Sequence, residues 1–288
     1  MKLALGTAQF GMKYGVSNSV GKVPQLEVQK MLNFALNNSI DLLDTAISYG
    51  SSEECLGRAG VADFKVITKL PPIPDDCENI DRWVAEQVAS SKNRIGIDVF
   101  YGLLLHRPSD LLGANGKRLY SAIDKYRESG EILNFGISIY SPQELDLIYK
   151  KFPIDIVQAP FSLIDRRLHT TGWLDRLKDG GIEVHARSTF LQGLLIMRLS
   201  DMPAKFNRWS DLWNRWDQWR HESPVSSLKA CISFSQQFQG IDRVIIGATS
   251  LRELQEINDA FSNVFFGPFP DIESSDEMLV DPSNWSSL

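Results

Sequence analysis

The sequence predicts an α/β protein folded as one (β/α)8 (TIM) barrel spanning residues 1–288. Three observations carry this expectation. Short aliphatic runs alternate with longer helical patterns from one end to the other, the runs number eight, and no Pro/Gly/Ser-rich linker interrupts them. The 288 residues admit two ordinary domains or one such barrel, because barrels run to roughly 250 residues. Unbroken alternation favours the barrel over two doubly wound domains.

The elements follow in chain order. Leu3–Thr7 is the first run. Gln25–Asn38 then places Leu26, Met31, Leu32, Ala35 and Leu36 on one stripe, with Asn37 and Asn38 as a stop. Leu42–Ala46 and Lys65–Leu70 are the second and third runs, followed by a helix over about 78–94. The fourth, Val99–His106, contains VFYGLLL, the continuous hydrophobicity that a parallel strand covered on both faces requires. A helix over 116–129 leads to the fifth run, Ile132–Ile139. Ser141 as N-cap, Pro142 at N1 and Glu144 at N3 form a capping-box arrangement that predicts a helix. Ile154–Phe161 and a helix over 168–178 come next, then Ile182–Ser188 and a helix over 225–238. The eighth run, Arg243–Ala248, reads RVIIGA and opens a helix over 251–261.

Hydrophobic residues make up 43% and charged residues 23%, which excludes general disorder and fibrous repeats. Net charge is −6 and pI about 5.3, which argues against a nucleic-acid backbone or an anionic membrane as partner. Five of those charges, Asp271, Glu273, Asp276, Glu277 and Asp281, lie in an acidic tail at about 268–288 that has no Lys or Arg. Cys55, Cys77 and Cys231 are odd in number and show no metal-ligand spacing, so the expectation is a reduced cytoplasmic protein without a bound metal. No apolar stretch approaches the ~20 residues of a membrane helix.

Barrel active sites sit at the C-terminal ends of the strands, so polar residues that close an apolar run are the first candidates. Asp44 closes the second run and Tyr49 follows five residues later, Lys69 lies at the end of the third, and His106 closes the fourth. Any one alone also fits a cap, a satisfied core group or a snorkelling lysine. Four on three consecutive strand ends point to a shared site.

LGTAQFG, DTAISYGSSEECLG, ITKL, LLLHRP, FGIS, VQAPFS and IIGATSLRELQEI, in that order, resemble the aldo-keto reductase superfamily from Leu3 to about Ala260. The wording of LALGTAQFG and YGSSEECLG is similar to bacterial members associated with surface-polysaccharide sugar synthesis. The resemblance implies reversible hydride transfer between NADPH and a small-molecule carbonyl, with Tyr49 as general acid. A proton donor must stand beside the carbonyl oxygen as it becomes negative. A free phenol near pKa 10 is too weak an acid, and a lysine charge about 4 Å away, worth about 4 kcal/mol, would bring it toward neutrality. Lys69 is expected to supply that charge, Asp44 to hold Lys69 charged, and His106 to orient the substrate oxygen or relay its proton.

On the cofactor side the resemblance implies Thr7, Asp44, Ser138 and Gln158 around the nicotinamide, although Ile139 stands where Asn is usual. Arg187 occupies a position often aromatic, where a guanidinium can still stack on a ring. Ser188, Gln192 and Gly193 resemble the pyrophosphate loop. Gly247, Thr249 and Ser250 open a helix whose N-terminus suits an anion, and Glu256 should reach the adenine amino group. Glu253 stands where Arg or Gln often meets the adenosine end, which leaves NADH open beside NADPH. A barrel that binds the dinucleotide as a sensor with little turnover is the alternative.

Trp209, Trp213, Trp216 and Trp219 share one helical face, open to reading as barrel packing, pocket wall or interface. His169 and His221 are expected to be solvated and His185 to be a core histidine. By the habit of such barrels the acidic tail is expected along the mouth of the site, anchored by MLVDPSNW.

Overall fold

All eight predicted strands form in the computed structural model, which describes residues 1–288. They are β1 (Lys2–Gly6), β2 (Leu42–Asp44), β3 (Lys65–Leu70), β4 (Phe100–Leu105), β5 (Ile132–Ser138), β6 (Ile156–Pro160), β7 (Glu183–Arg187) and β8 (Arg243–Gly247). Each pairs in parallel with the next, and β8 closes on β1 from Lys2↔Arg243 to Gly6↔Gly247. The helices, in order, are α1 (Ala8–Gly11), α2 (Gln25–Asn37), α3 (Ser52–Ala59), α4 (Ile80–Ile95), α5 (Gly116–Glu128), α6 (Gln143–Ile148), α7 (Arg167–Thr170), α8 (Trp173–Asp179), α9 (Ser210–Glu222), α10 (Ser227–Gln236), α11 (Leu251–Ser262) and α12 (Glu277–Val280).

Two boundaries differ from the sequence reading for local reasons. The helix expected over 168–178 is two pieces, because Gly172 between α7 and α8 adopts φ +76°. Near Ser141 only half of the capping box forms: Glu144 Oε1 accepts from the backbone N–H of Tyr140 and Ser141, while the Ser141 hydroxyl turns to Gln143.

The period-2 geometry of strands builds the barrel interior in layers. Ala4, Leu42, Ile67, Leu104, Ile156 and Ile245 fill one apolar layer. Two residues further along four of those strands stand Asp44, Lys69, His106 and Gln158, so the same alternation that packs the core lifts four polar groups into the next layer. The outer faces of the strands pack against the helices in a core of 68 buried residues.

α9 and the C-terminal segment belong to that core. Trp213 and Trp216 are buried, their indole N–H groups donating to Phe206 O (3.0 Å) and Leu195 O (3.1 Å). Trp209 and Trp219 tie down the tail by donating to Asp276 Oδ2 (2.9 Å) and Pro268 O (3.2 Å). Ile272, Leu279, Val280 and Trp285 are buried, and Trp285 meets Phe206 edge-on at 4.9 Å. The apolar anchor therefore forms as expected, and the tryptophan face is barrel packing.

One buried charge organises the segment after β2. Glu53, in the first turn of α3, is 2% exposed and accepts from Thr68 Oγ of β3 (2.6 Å), Ser91 Oγ of α4 (2.6 Å) and Arg94 Nε (2.7 Å). A carboxylate taken out of water costs several kcal/mol unless so satisfied, and three side chains on two elements, β3 and α4, supply the compensation. Glu53→Ala strands Arg94 and two hydroxyls, and is expected to lower unfolding free energy by about 3–5 kcal/mol, measured by urea denaturation.

Candidate active site

Lys69 is fully buried. Its ammonium donates to both Asp44 oxygens at 2.8 Å and to Thr45 O at 2.9 Å, so all three of its protons are used. Asp44 Oδ1 also accepts from Gln158 Nε2 (2.7 Å), and the Gln158 carbonyl accepts from Ser138 Oγ (3.2 Å). β2, β3, β5 and β6 are thus joined by one continuous network. Tyr49 lies against it, its ring 5.1 Å from Lys69 Nζ, and His106 meets the Tyr49 ring edge-on at 5.7 Å.

The loop bearing Tyr49 is fixed by backbone contact. A Cβ on Gly11 would lie 1.8 Å from Tyr49 O and 2.4 Å from Ser52 N, so only glycine lets α1 approach this closely. Ser52, fully buried, donates to Thr7 at the end of β1, and Thr7 donates to Asp44 O (3.1 Å).

The buried groups of the site shift one another's protonation. Burial, reinforced by Asp44, pushes the Tyr49 phenol above its ordinary value. The Lys69 ammonium lies 5.1 Å from the Tyr49 ring centroid and is paired with both oxygens of Asp44. The cation that pulls Tyr49 down is Arg187. Burial also depresses the Lys69 ammonium, and Asp44 opposes that. Burial, with the charges of Lys69 and Arg187 adding, holds His106 at about 4, so its imidazole is neutral at physiological pH.

Above this network opens a cavity of about 520 Å³, within the size range of ligand sites. Thr7, Asp44, Tyr49, Gln158, Arg187, Ser188, Gln192, Gly193, Gly247, Thr249 and Glu256 all line it. Three candidates do not. Lys69 is paired with Asp44, His106 borders Tyr49, and Ser138 is buried and donates to Gln158. No residue of the acidic tail lines the cavity either, since the tail is held against α9. His169 packs edge-on against Phe238 at 4.9 Å, while the exposed His221 lies 3.5 Å from Asp217. His185 is fully buried with Nε2 2.9 Å from Glu183, so it is the core histidine expected.

Arg187 is not paired with a carboxylate. It donates to Ile139 O (2.8 Å) and Ser188 Oγ (3.2 Å) and lies over the Tyr140 ring at 4.6 Å. Beyond it the backbone is strained: Ser188, Leu191 and Gln192 all have positive φ, a conformation that costs of order 1–3 kcal/mol per residue and that functional loops retain. This loop is clasped by the segment after α1, with Val16 N donating to Gln192 O (2.9 Å) and Gln192 Nε2 lying 3.4 Å from the Tyr14 hydroxyl.

Several lining residues had no motif to announce them. Gln9, Tyr14 and Asn18 reach the cavity from the stretch after β1, and Ser226, Ser227 and Leu228 from the start of α10. For α10 a signal existed: Ser226 in PVSSLK is an N-cap, its hydroxyl accepting from Lys229 N (3.2 Å), and the first turn holds no acidic residue. Such a terminus, with the backbone of the Ser188–Gly193 loop, suits the phosphates of a dinucleotide.

Gly193 tests the clasp. It has φ +99°, and a Cβ there would lie 2.0 Å from Ser17 Oγ. Gly193→Ala should cost about 1–2 kcal/mol of stability and weaken dinucleotide binding several-fold, read by thermal unfolding and calorimetric titration.

Comparison with known proteins agrees with this geometry. The sequence model of the Aldo/keto reductase family matches residues 2–267. L-glyceraldehyde 3-phosphate reductase of Escherichia coli (strain K12) is 25% identical, covering 94% of this chain and 89% of its own. Aldo-keto reductase YhdN of Bacillus subtilis (strain 168) is 24% identical over 58% of this chain and 53% of its own. Among solved structures, the holo form of aldo-keto reductase AKR11C1 from Bacillus halodurans superposes with TM-score 0.72 at 19% identity, covering 92% of this chain and 88% of that one. Glycerol dehydrogenase AKR11B4 from Gluconobacter oxydans gives 0.69 at 20% identity, covering 92% and 87%. With its eight strands closed around the Asp44, Lys69 and Gln158 network, the chain belongs to the aldo/keto reductase family.

Proposed function

We propose that the protein is an oxidoreductase that uses a nicotinamide dinucleotide to reduce a small-molecule carbonyl, an aldehyde, ketone or sugar-linked carbonyl, reversibly to an alcohol. The observation that carries this reading is the convergence of Tyr49, His106 and the buried Lys69–Asp44 pair beside one cavity. Thr7, Asp44 and Gln158 would hold the nicotinamide, and the Ser188–Gly193 loop with the start of α10 would hold the pyrophosphate. When bound, the nicotinamide supplies the hydride.

The chain's own part is the proton and the charge. Tyr49 stays protonated through neutral pH, the state a proton donor needs, and gives its hydroxyl proton to the carbonyl oxygen. The phenolate left behind lies in the fields of Arg187 and of the Lys69–Asp44 pair. Neutral His106, edge-on to the Tyr49 ring at the border of the cavity, would orient the same oxygen through a ring N–H without adding a charge. The relatives called L-glyceraldehyde 3-phosphate reductase and glycerol dehydrogenase bear the names of short hydroxylated molecules, which makes small hydroxyaldehydes and hydroxyketones the first panel to assay.

Tyr49→Phe should lower kcat by about 10²–10⁴-fold while leaving dinucleotide affinity unchanged; wild-type turnover in this variant rejects the donor role. Binding of dinucleotide by the wild type without turnover of any carbonyl would favour the sensor alternative.

Because His106 titrates near 4 in the folded protein, kcat/KM should show no inflection near 6.5. Between about 6.5 and about 4 the unfolded chain takes up a proton at this histidine that the folded chain refuses. His106 therefore contributes stability that is lost as pH falls through that window, measured as an acid-side drop in unfolding midpoint that His106→Gln reduces.

A further inference from the structure

The cavity is electrically divided. Among its lining residues the only Lys or Arg is Arg187, which stands near Tyr49. Where α11 forms the wall, two carboxylates line it, Glu253 and Glu256. The neighbouring Arg252 does not line the cavity, and its guanidinium is given to Glu256 (Nε to Oε1 2.9 Å) on an exposed side chain.

Donors are also spoken for. The start of α11 is a natural seat for a phosphate, but the chain's own carboxylates fill it. Thr249 donates through both backbone N–H (2.7 Å) and hydroxyl (2.9 Å) to Glu253 Oε2, and Leu251 N donates to Glu27 Oε1 (2.7 Å). The anion seat that the sequence suggested at Thr249 is thus already occupied. The start of α10 carries no carboxylate and remains available to the pyrophosphate.

This inference rests on the reductase reading, which fixes the nicotinamide end of the cavity at Tyr49 and so directs the adenosine end to α11. A 2′-phosphate would add roughly two negative charges beside two carboxylates, with the neighbouring cation, Arg252, already given to Glu256. A free ribose hydroxyl is a donor that a carboxylate accepts well. We propose that this protein selects NADH over NADPH, and that Glu253 and Glu256 are the residues that select.

The test is calorimetric titration of the intact protein with each dinucleotide. NADH should bind at least about tenfold more tightly, a difference of about 1.4 kcal/mol. Glu253→Gln and Glu256→Gln should each narrow that ratio by improving NADPH binding, and Glu253→Arg should narrow it further. Competition in the wild type needs no variant: ADP should displace NADH more effectively than adenosine 2′,5′-bisphosphate. NADPH binding as tight as NADH overturns the preference and leaves the reductase reading standing. Failure of both dinucleotides to bind overturns the two together.

Discussion

An ammonium group buried at the centre of a barrel sets terms for everything around it. Lys69 has no access to water, and desolvating a lone ammonium is more costly than folding can usually bear. Two carboxylate oxygens and one backbone carbonyl make the burial tolerable. That arrangement requires β2 and β3 to be in register and Asp44 to face inward, and the second demand on Asp44, from Gln158, extends the requirement across the barrel to β6. The pair stabilises the fold only while all its partners are present, and the Tyr49 ring lies against it.

A second consequence concerns which charge acts at the tyrosine. A lysine tied to an aspartate through both oxygens presents a small dipole to its surroundings. Arg187, held by a carbonyl and a ring face, presents a whole charge. Two cations therefore stand near Tyr49, Lys69 of β3 within an ion pair and Arg187 at the end of β7, the latter next to a loop with strained backbone.

Much of this was legible in the sequence because it is local. Continuous aliphatic runs read as parallel strands, even β2 with only three residues, since each must be apolar on both faces. Asp44, Tyr49, Lys69 and His106 were legible because each stands at or just beyond the end of such a run. Glu53 and Ser52 were not, although they follow Tyr49 closely: their partners are up to 45 residues away, and nothing in SSEECLG states that a carboxylate will be buried there. The capture of Thr249 by Glu253 was equally hidden, because a threonine at a helix start reads the same whether its donors face a ligand or a neighbouring side chain. The tail's anchor was visible as an apolar patch, but its landing place on α9 depends on pairings that no local pattern encodes.

The gathering of tryptophans around the tail gives the molecule an optical character. Five of its seven, Trp209, Trp213, Trp216, Trp219 and Trp285, lie on or just before α9 and on the segment held there, and none of the seven lines the cavity. Trp216 and Trp219 are stacked at 5.3 Å. The intrinsic emission of this protein therefore reports in part on whether its C-terminal segment is seated, and undocking would move Trp209, Trp219 and Trp285 into water and shift their emission to the red.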